Sequence, residues 1–222
     1  MTKFVLASHN KKKMAEMKII LQSLGVEVVP LPDDAPEPEE TGDTFEENAL
    51  IKMKSAAAFT GLPAIADDSG LCVDALHGAP GVYSARYGSP EYFTYAQAHG
   101  LKVGLEPLRA KASDKDRTLR LLRNLATVPD GQRQARFVCA IACQPPDGGE
   151  AIVVRGECEG EIARRVSGEG GFGYDPIFYV PAFQCTFGEL PGTVKNQVSH
   201  RGRALQKLKE ALKGRMKEKT GE

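Results

Sequence analysis

Short apolar runs alternate with segments of helical periodicity along the chain, and this alternation constrains the fold more than any other feature of the sequence. Runs typical of buried strands lie at residues 4–7, 26–31, 63–66, 135–143, 151–154, 158–163 and 177–180. Apolar residues at helical spacing predict helices around residues 14–24, 45–59, 116–125 and 204–212. Strands interleaved with helices predict an α/β fold with a substantial sheet. Residues 88–112 mix polarities with scattered Gly and Pro, which indicates an insertion.

Length and charge narrow the class of protein. A chain of 222 residues fits one large domain or two small lobes, because a single core serves up to roughly 250 residues. Lys and Arg together number 29, as do Asp and Glu, so the formal net charge is zero. A duplex nucleic-acid binder usually carries a basic excess, and a membrane span needs about 20 apolar residues. We therefore expect neither a nucleic-acid partner nor a membrane partner.

Cysteine and histidine usage bears on location and metal chemistry. The five cysteines are odd in number and form no CxxC pair, which predicts reduced thiols in a cytoplasmic protein. The first apolar stretch is too short for a signal peptide. The four histidines show neither an HExxH motif nor a paired spacing, so a zinc site is disfavoured.

Three lysines stand where the first helix is expected to begin. The segment comprises Ser8, His9, Asn10, Lys11, Lys12 and Lys13. N–H groups without partners at a helix start favour an anion, whereas lysines there oppose the helix dipole. A bound phosphate would remove that conflict. In the alternative interpretation, Ser8 or Asn10 caps the helix and the lysines are solvated.

Lys52 is predicted on the second helix, which a capping box of Thr44 and Glu47 would start. At about 100° per residue, Lys52 falls at the edge of an apolar face, beside Ala49 and Ala56. Its ammonium either extends to water along that edge or reaches into a cleft. The spacing leaves both interpretations open.

Carboxylates flank the Lys52 helix in sequence. Glu39 and Glu40 precede it, and Asp67 and Asp68 follow the strand predicted at residues 63–66. Adjacent strand residues point to opposite faces, so only one of the two aspartates is expected to face a given site. Mg²⁺ takes one or two carboxylates together with phosphate oxygens and water. The alternative is an Asp-Ser-Gly turn and an exposed acidic loop.

A glycine-rich stretch at residues 168–176 contains two aromatic rings. Glycines let the backbone approach a ligand closely. Phe172 and Tyr174 could stack on a base, and Asp175 could accept hydrogen bonds from its edge. The alternative is a glycine-rich hairpin.

The last helix also begins with cations. Ser199 is predicted to cap it, and His200 and Arg201 follow in its first turn. These cations again oppose the helix dipole, and cations at two separate helix starts are harder to dismiss than cations at one. The alternative is a charged helix face.

Six motifs occur in order at fitting separations, and together they closely resemble the inosine triphosphate pyrophosphatase family, also called dITP/XTP pyrophosphatases, from about residue 3 to 212. The motifs are Ser8-His9-Asn10 with Lys13, residues 41–49 with Lys52, residues 66–71, residues 79–86, residues 171–176, and Lys195-Asn196 with Ser199-His200-Arg201. The resemblance implies a long mixed β-sheet flanked by helices, two lobes with an active-site cleft between them, and a homodimer. It also implies hydrolysis of ITP, dITP and XTP to the monophosphate and pyrophosphate, which removes deaminated purines from the nucleotide pool.

The resemblance further implies roles for individual residues. The triphosphate would be bound by Ser8, His9, Asn10, Lys11, Lys12, Lys13, Lys52 and Lys195. Mg²⁺ would be held by Glu40 and Asp68, and Asp68 would also be the catalytic proton acceptor. Ser69 would contact substrate, and the base pocket would comprise Phe172, Gly173, Tyr174, Asp175, His200 and Arg201. Arg86 matches a family segment, with a less definite role.

Two further hypotheses stay open, and the chain departs from the family pattern in two places, at the three consecutive lysines 11–13 and in residues 88–115. The chain could be a pyrophosphatase for another nucleotide set, such as modified pyrimidines, or a nucleotide-binding module without catalysis. Residues 88–115 form a longer segment than the family usually has. This segment would either reshape a lid or dimer contact or be a tolerated surface insertion.

Overall fold

The computed structural model describes residues 3–23, 25–101, 107 and 112–220. The strands in this part of the chain are β1 (Lys3–Leu6), β2 (Glu27–Pro30), β3 (Ala64–Val73), β4 (Gln134–Cys143), β5 (Ile152–Ile162), β6 (Phe178–Val180) and β7 (Cys185–Thr186). The helices are α1 (Lys11–Ser23), α2 (Phe45–Thr60), α3 (Pro90–Ala98), α4 (Asp114–Asn124), α5 (Gly192–Val198) and α6 (His200–Thr220).

The strands form one mixed sheet in the order β2-β1-β3-β4-β5-β6-β7. Strand β1 pairs in parallel with β2 and β3, whereas β6 pairs antiparallel with β5 and β7. The predicted α/β fold with a mixed sheet is confirmed. Within the described residues, no helix is both long enough and apolar enough to cross a membrane.

The chain divides into two compact units. The first comprises Met1–Ser69, Val138–Glu157 and Asn196–Glu222, and the second comprises Gly70–Phe137 and Cys158–Lys195. The single-domain organisation and the cleft stay predictions.

In the first unit, α1 and α6 bury their apolar stripes against the sheet. Met17 and Leu21 of α1 and Leu205 and Leu208 of α6 join one buried cluster with strand residues such as Ile141. The helical spacing predicted for α1 is therefore confirmed through Leu21, while the predicted continuation to residue 24 lies outside the described residues. Burial of this cluster contributes hydrophobic stabilisation to the unit.

In the second unit, aromatic rings fill the core. The ring of Phe178 lies 4.6 Å from that of Phe137 and 5.0 Å from that of Phe187, centroid to centroid. Arg133 is buried, but its guanidinium donates to the backbone oxygens of Leu125, Ile162 and Ala163. Those bonds compensate the burial of its charge.

Strand β3 is longer than the sequence predicts. It does not end at residue 66 but continues to Val73, so Asp67 and Asp68 lie inside a strand and not in a turn. Both aspartates are buried. The predicted strand end at residue 66 and the alternative of an Asp-Ser-Gly turn are both wrong. Cations from distant segments compensate these carboxylates, so the strand can continue through them.

Strand β5 joins two segments that the sequence predicts as separate strands, 151–154 and 158–163. Gly156 lies between them, and a Cβ built there would come 2.2 Å from the backbone oxygen of His200 and 2.4 Å from the backbone nitrogen of Ala204. The glycine is therefore not a strand break. It lets the backbone of α6 pack directly on β5.

Two further segments contain more helix than the sequence predicts. The segment predicted as an insertion contains a helix, α3, which Ser89 caps by accepting a hydrogen bond from the backbone of Tyr92; residues 102–106 and 108–111 of the segment lie outside the described part. Helix α6 runs from His200 to Thr220, so it extends beyond the end predicted at residue 212.

Candidate active site

Asn10 fixes the start of α1. Its Oδ1 accepts hydrogen bonds from the backbone N–H groups of Lys12 and Lys13, at 3.1 Å each, and Ser8 Oγ accepts from the Asn10 N–H. The capping interpretation is confirmed for Asn10. The first turn of α1 holds no acidic residue, so its lysines still oppose the helix dipole. Four side chains of this segment are exposed, namely those of His9, Asn10, Lys11 and Lys12.

Asp67 gathers three of the predicted site residues. Its Oδ2 lies 3.3 Å from Lys13 Nζ and 3.4 Å from a terminal guanidinium nitrogen of Arg201, and it accepts a hydrogen bond from Ser69 Oγ at 3.2 Å. The Asp67 and Arg201 side chains are 1% and 2% exposed, so this pair is screened little by water. Burial opposes the charge of Asp67, but Lys13 and Arg201 outweigh it and hold its pKa well below the usual range.

Lys52 joins the two carboxylates assigned to the metal. Its Nζ donates to Asp68 Oδ1 at 2.8 Å and to Glu40 Oε1 at 3.0 Å. The side chains of Lys52 and Asp68 are 16% and 8% exposed. Of the two interpretations of Lys52, the structure selects the inward one, in which the ammonium contacts carboxylates. Its pKa is raised because these carboxylates outweigh the desolvation of the ammonium.

Asp67 and Asp68 point to different partners, as the alternation along a strand predicts. Asp67 contacts Lys13 and Arg201, whereas Asp68 contacts Lys52. Burial raises the pKa of Asp68 even though Lys52 and Lys13 act to lower it. Asp68 is therefore the more basic of the two carboxylates, which suits a proton acceptor.

The donor set around Asp68 fits a hard divalent cation. Among the described residues, Asp68 Oδ2 is buried and has no hydrogen-bond partner. Glu40 is close enough to share the Lys52 ammonium with Asp68. In the same part of the chain, no group of three or more His, Cys, Asp or Glu side chains forms a metal cluster. A two-carboxylate site is the arrangement that Mg²⁺ uses when phosphate and water complete its shell.

Arg201 lies in the Asp67 cluster. It donates to Ser69 Oγ at 3.1 Å and forms an ion pair with Glu16 of α1, in addition to its pair with Asp67. Ser199 caps α6 by accepting from the Gly202 N–H at 3.2 Å, as predicted. His200 is buried at the first position of α6. The resemblance had assigned Arg201 to the base pocket, but its described contacts are with the carboxylate cluster.

The glycine-rich segment forms a second cluster, within the second unit. Asp175 Oδ2 accepts from Lys195 Nζ and from the Phe172 N–H, at 2.8 Å each. Both charged side chains are 4% exposed. The Lys195 ammonium also lies 4.9 Å from the centre of the Phe172 ring. Lys195, assigned by resemblance to the triphosphate, therefore contacts base-pocket residues.

The two aromatic residues of this segment differ in exposure. Tyr174 is buried, and its hydroxyl donates to the backbone oxygen of Ser84 at 2.9 Å. Burial raises the pKa of Tyr174 well above its usual value. Phe172 is partly exposed. Of the two rings, Phe172 is the one with surface available for stacking, and Tyr174 anchors the segment.

Sequence reasoning missed Glu16, Asp114 and Thr118. Glu16 is the ion-pair partner of Arg201, at a sequence separation of 185 residues. Its position three residues after Lys13 in a lysine-rich helix start was a weak local signal. Asp114 and Thr118 bind the backbone of Gly173 from 59 and 55 residues away. Nothing in the local pattern of α4 indicates that contact.

Comparison with known proteins agrees with the geometry. The Ham1 family matches residues 4–211. The chain belongs to the Ham1 family. It is 47% identical over 212 residues to the dITP/XTP pyrophosphatase of Mannheimia succiniciproducens, covering 95% of this chain and 98% of that protein.

Solved Ham1 structures have the same fold. The Ham1 protein of Coxiella burnetii superposes with a TM-score of 0.79 at 42% identity, covering 96% of this chain and 100% of that one. The Staphylococcus aureus Ham1 protein gives a TM-score of 0.76 at 38% identity, with coverages of 96% and 100%. These similarities extend over nearly the whole length of each protein.

Proposed function

We propose that this Ham1 protein is a nucleoside triphosphate pyrophosphatase that hydrolyses ITP, dITP and XTP to the monophosphate and pyrophosphate. The observation that carries the proposal is the Lys52 ammonium held between Glu40 and the more basic carboxylate, Asp68. The name of the 47% identical relative, a dITP/XTP pyrophosphatase, supports the substrate class.

The phosphates are proposed to bind at the start of α1 and at Lys52. The first turn of α1 carries lysines and no acid, and helix starts favour anions. Lys13 is partly exposed while paired with Asp67, so its ammonium can face ligand and carboxylate together. Lys52 uses two of its three N–H donors on Glu40 and Asp68, and we propose that a phosphate oxygen accepts the third.

Asp68 is proposed to take the proton from the attacking water. The water oxygen bonds to the α-phosphorus, the bond from that phosphorus to the α–β bridging oxygen breaks, and pyrophosphate leaves. The raised pKa of Asp68 favours this role. Lys52 stabilises the negative charge that develops on the leaving group. Mg²⁺ held by Glu40 and Asp68 would add charge neutralisation at the phosphates.

The base is proposed to stack on Phe172, beside the buried pair of Lys195 and Asp175. Hypoxanthine presents O6 as an acceptor and N1–H as a donor, and adenine reverses both. A site that pairs with the first pattern leaves buried polar groups unpaired against the second. Such mismatches lower the specificity constant by about 10⁴-fold or more, so ATP is expected to be a poor substrate.

A pyrophosphate-release assay with ITP, XTP, dITP, ATP and modified pyrimidine triphosphates tests the proposal. We expect Mg²⁺-dependent pyrophosphate from the deaminated purines and little from ATP. Asp68→Asn should lower kcat by about 10²–10⁴-fold while nucleotide binding persists. Orthophosphate as product, or equal rates with ATP, would refute the proposal. No turnover in the wild type, with binding intact, would favour a non-catalytic nucleotide-binding module.

The proposal includes a homodimer, as the resemblance implies, and a cytoplasmic location, as the cysteine usage predicts. The free thiols of Cys72, Cys139, Cys143, Cys158 and Cys185 suit a reducing compartment. Sedimentation of the purified chain tests the dimer, and a monomer at micromolar concentration would contradict it.

A further inference from the structure

Two side chains of helix α4 bind the backbone of Gly173 in the glycine-rich segment, one at its N–H and one at its backbone oxygen. The Gly173 N–H donates to Asp114 Oδ2 at 3.0 Å, and the Gly173 backbone oxygen accepts from Thr118 Oγ1 at 3.2 Å. Asp114 and Thr118 are four residues apart, so they lie on one face of the helix. Thr118 is 3% exposed, so its hydroxyl bond is shielded from water.

The start of α4 is itself fixed. Ser113 Oγ accepts from the Asp116 N–H at 3.2 Å, and Asp116 Oδ2 accepts from the Ser113 N–H at 2.8 Å, which completes a capping box. Asp114 therefore occupies the first helical position, where a carboxylate is favoured by the helix dipole. Arg117 pairs with the other oxygen of Asp114 at 2.5 Å, which orients the carboxylate toward Gly173.

We call the two contacts of Asp114 and Thr118 with the Gly173 peptides the clamp. It acts on a residue whose backbone has unusual conformational freedom. Its φ is 61°, in the left-handed region, and no described atom lies within 4 Å of a Cβ built there. It stands between Phe172 and Tyr174, so a rotation of either Gly173 peptide would turn the Phe172 ring. On the following side, the hydroxyl of Tyr174 is held by the backbone oxygen of Ser84. On the preceding side, the carboxylate of Asp175 accepts from the Phe172 N–H, so the Gly173 peptides link two restrained residues.

We propose that Asp114 and Thr118 are positioning residues for base selection, because they fix the Gly173 peptides and thereby the orientation of the Phe172 ring. This inference rests on the proposed function. It also gives the predicted insertion, residues 88–115, a specific connection to the site: Asp114, near its end, is half of the clamp. Neither residue is proposed to touch the phosphates or the reacting atoms.

The test compares Thr118→Val, which keeps the side-chain volume but loses the donor, with Thr118→Ser, which keeps the hydroxyl. Loss of one buried hydrogen bond predicts a rise of about threefold to tenfold in KM for ITP or XTP. The preference for these nucleotides over GTP should fall by a similar factor. We expect kcat at saturation, and inhibition by inorganic tripolyphosphate, to stay unchanged. Thr118→Ser should restore the wild-type preference.

A matched control and a readout independent of turnover complete the design. Thr94→Val makes the same side-chain change at an exposed hydroxyl-to-carbonyl bond within α3, from Thr94 to Pro90, and should leave base preference unchanged. Amide hydrogen exchange of Gly173 should accelerate in Thr118→Val without nucleotide present, because the clamp is loosened.

The outcomes separate this inference from the proposed function. Unchanged exchange at Gly173, unchanged preference, or an equal loss for every nucleotide and for tripolyphosphate would overturn the clamp while leaving the pyrophosphatase proposal standing. A wild type without base preference would overturn both.

Discussion

Replacing Asp67 by Asn removes the buried charge that holds Lys13 and Arg201, and it should destabilise the fold. The pair with Arg201 is 1% and 2% exposed, whereas Lys13 is 18% exposed. Breaking a buried ion pair by removing one partner costs about 3–5 kcal/mol. Asn keeps the shape and one acceptor, and Arg201 keeps its pair with Glu16. We therefore expect the free energy of unfolding to fall by about 3 kcal/mol, the low end of that range.

The lowered pKa of Asp67 also predicts how the free energy of unfolding changes with pH. The pKa of Asp67 lies below its usual 3.8 in the folded protein, so its charge stabilises the fold fully above that value. The stabilisation is lost as the pH falls toward the folded pKa. Between about pH 5 and about pH 3, the wild type should lose stability more steeply than Asp67→Asn.

Urea unfolding followed by circular dichroism, at neutral and acidic pH, measures both effects. Asp74→Asn is the control, because its ion pair with Arg136 is 47% and 34% exposed and should contribute at most about 1 kcal/mol. If Asp67→Asn unfolds within about 1 kcal/mol of the wild type, or if the two pH curves run parallel, the charged network does not stabilise the fold as argued.

Three further substitutions test the site and the packing. Gly171→Ala, with φ at 73° and a Cβ 2.1 Å from Asp175 Oδ2, should raise KM for ITP by about tenfold or more because the cost exceeds 1 kcal/mol; Gly148→Ala, with φ at 68° and open space, should leave KM unchanged, and equal effects of the two would contradict the clash. Lys52→Gln should lower kcat by about 10²–10³-fold in the pyrophosphate assay, and a wild-type kcat would remove Lys52 from the chemistry. Gly156→Ala should destabilise the protein by about 1–3 kcal/mol in thermal unfolding; an unchanged melting temperature would show that α6 can shift away from β5 at no cost.

The elements that the sequence predicts well are those specified by local chemistry. The capping box of Thr44 and Glu47 forms and starts α2 at Phe45, because its four residues contain all the required donors and acceptors. Asn10 likewise caps α1 with an oxygen two and three residues from its partners. Such signals need no knowledge of the rest of the chain.

The predictions that failed depend on distant residues. Asp67-Asp68-Ser69-Gly70 is typical of a turn in isolation, yet it is a buried strand because Arg201 reaches Asp67 across 134 residues of sequence. The two strands predicted on either side of Gly156 form the single strand β5, because α6 packs against that glycine. In the candidate site, too, the sequence shows the residue types but not the contacts between distant residues. The pairing of Arg201 with Glu16 is one such contact.

The two-residue period of β3 divides the partners of neighbouring aspartates: Asp67 contacts Lys13 and Arg201, and Asp68 contacts Lys52. That division depends on register alone. Deleting or inserting a single residue early in the strand would move both Asp67 and Asp68 to the opposite face of the sheet without altering the composition of the motif. Variants with a one-residue shift in the register of this strand would therefore keep every chemical group of the site and lose its function.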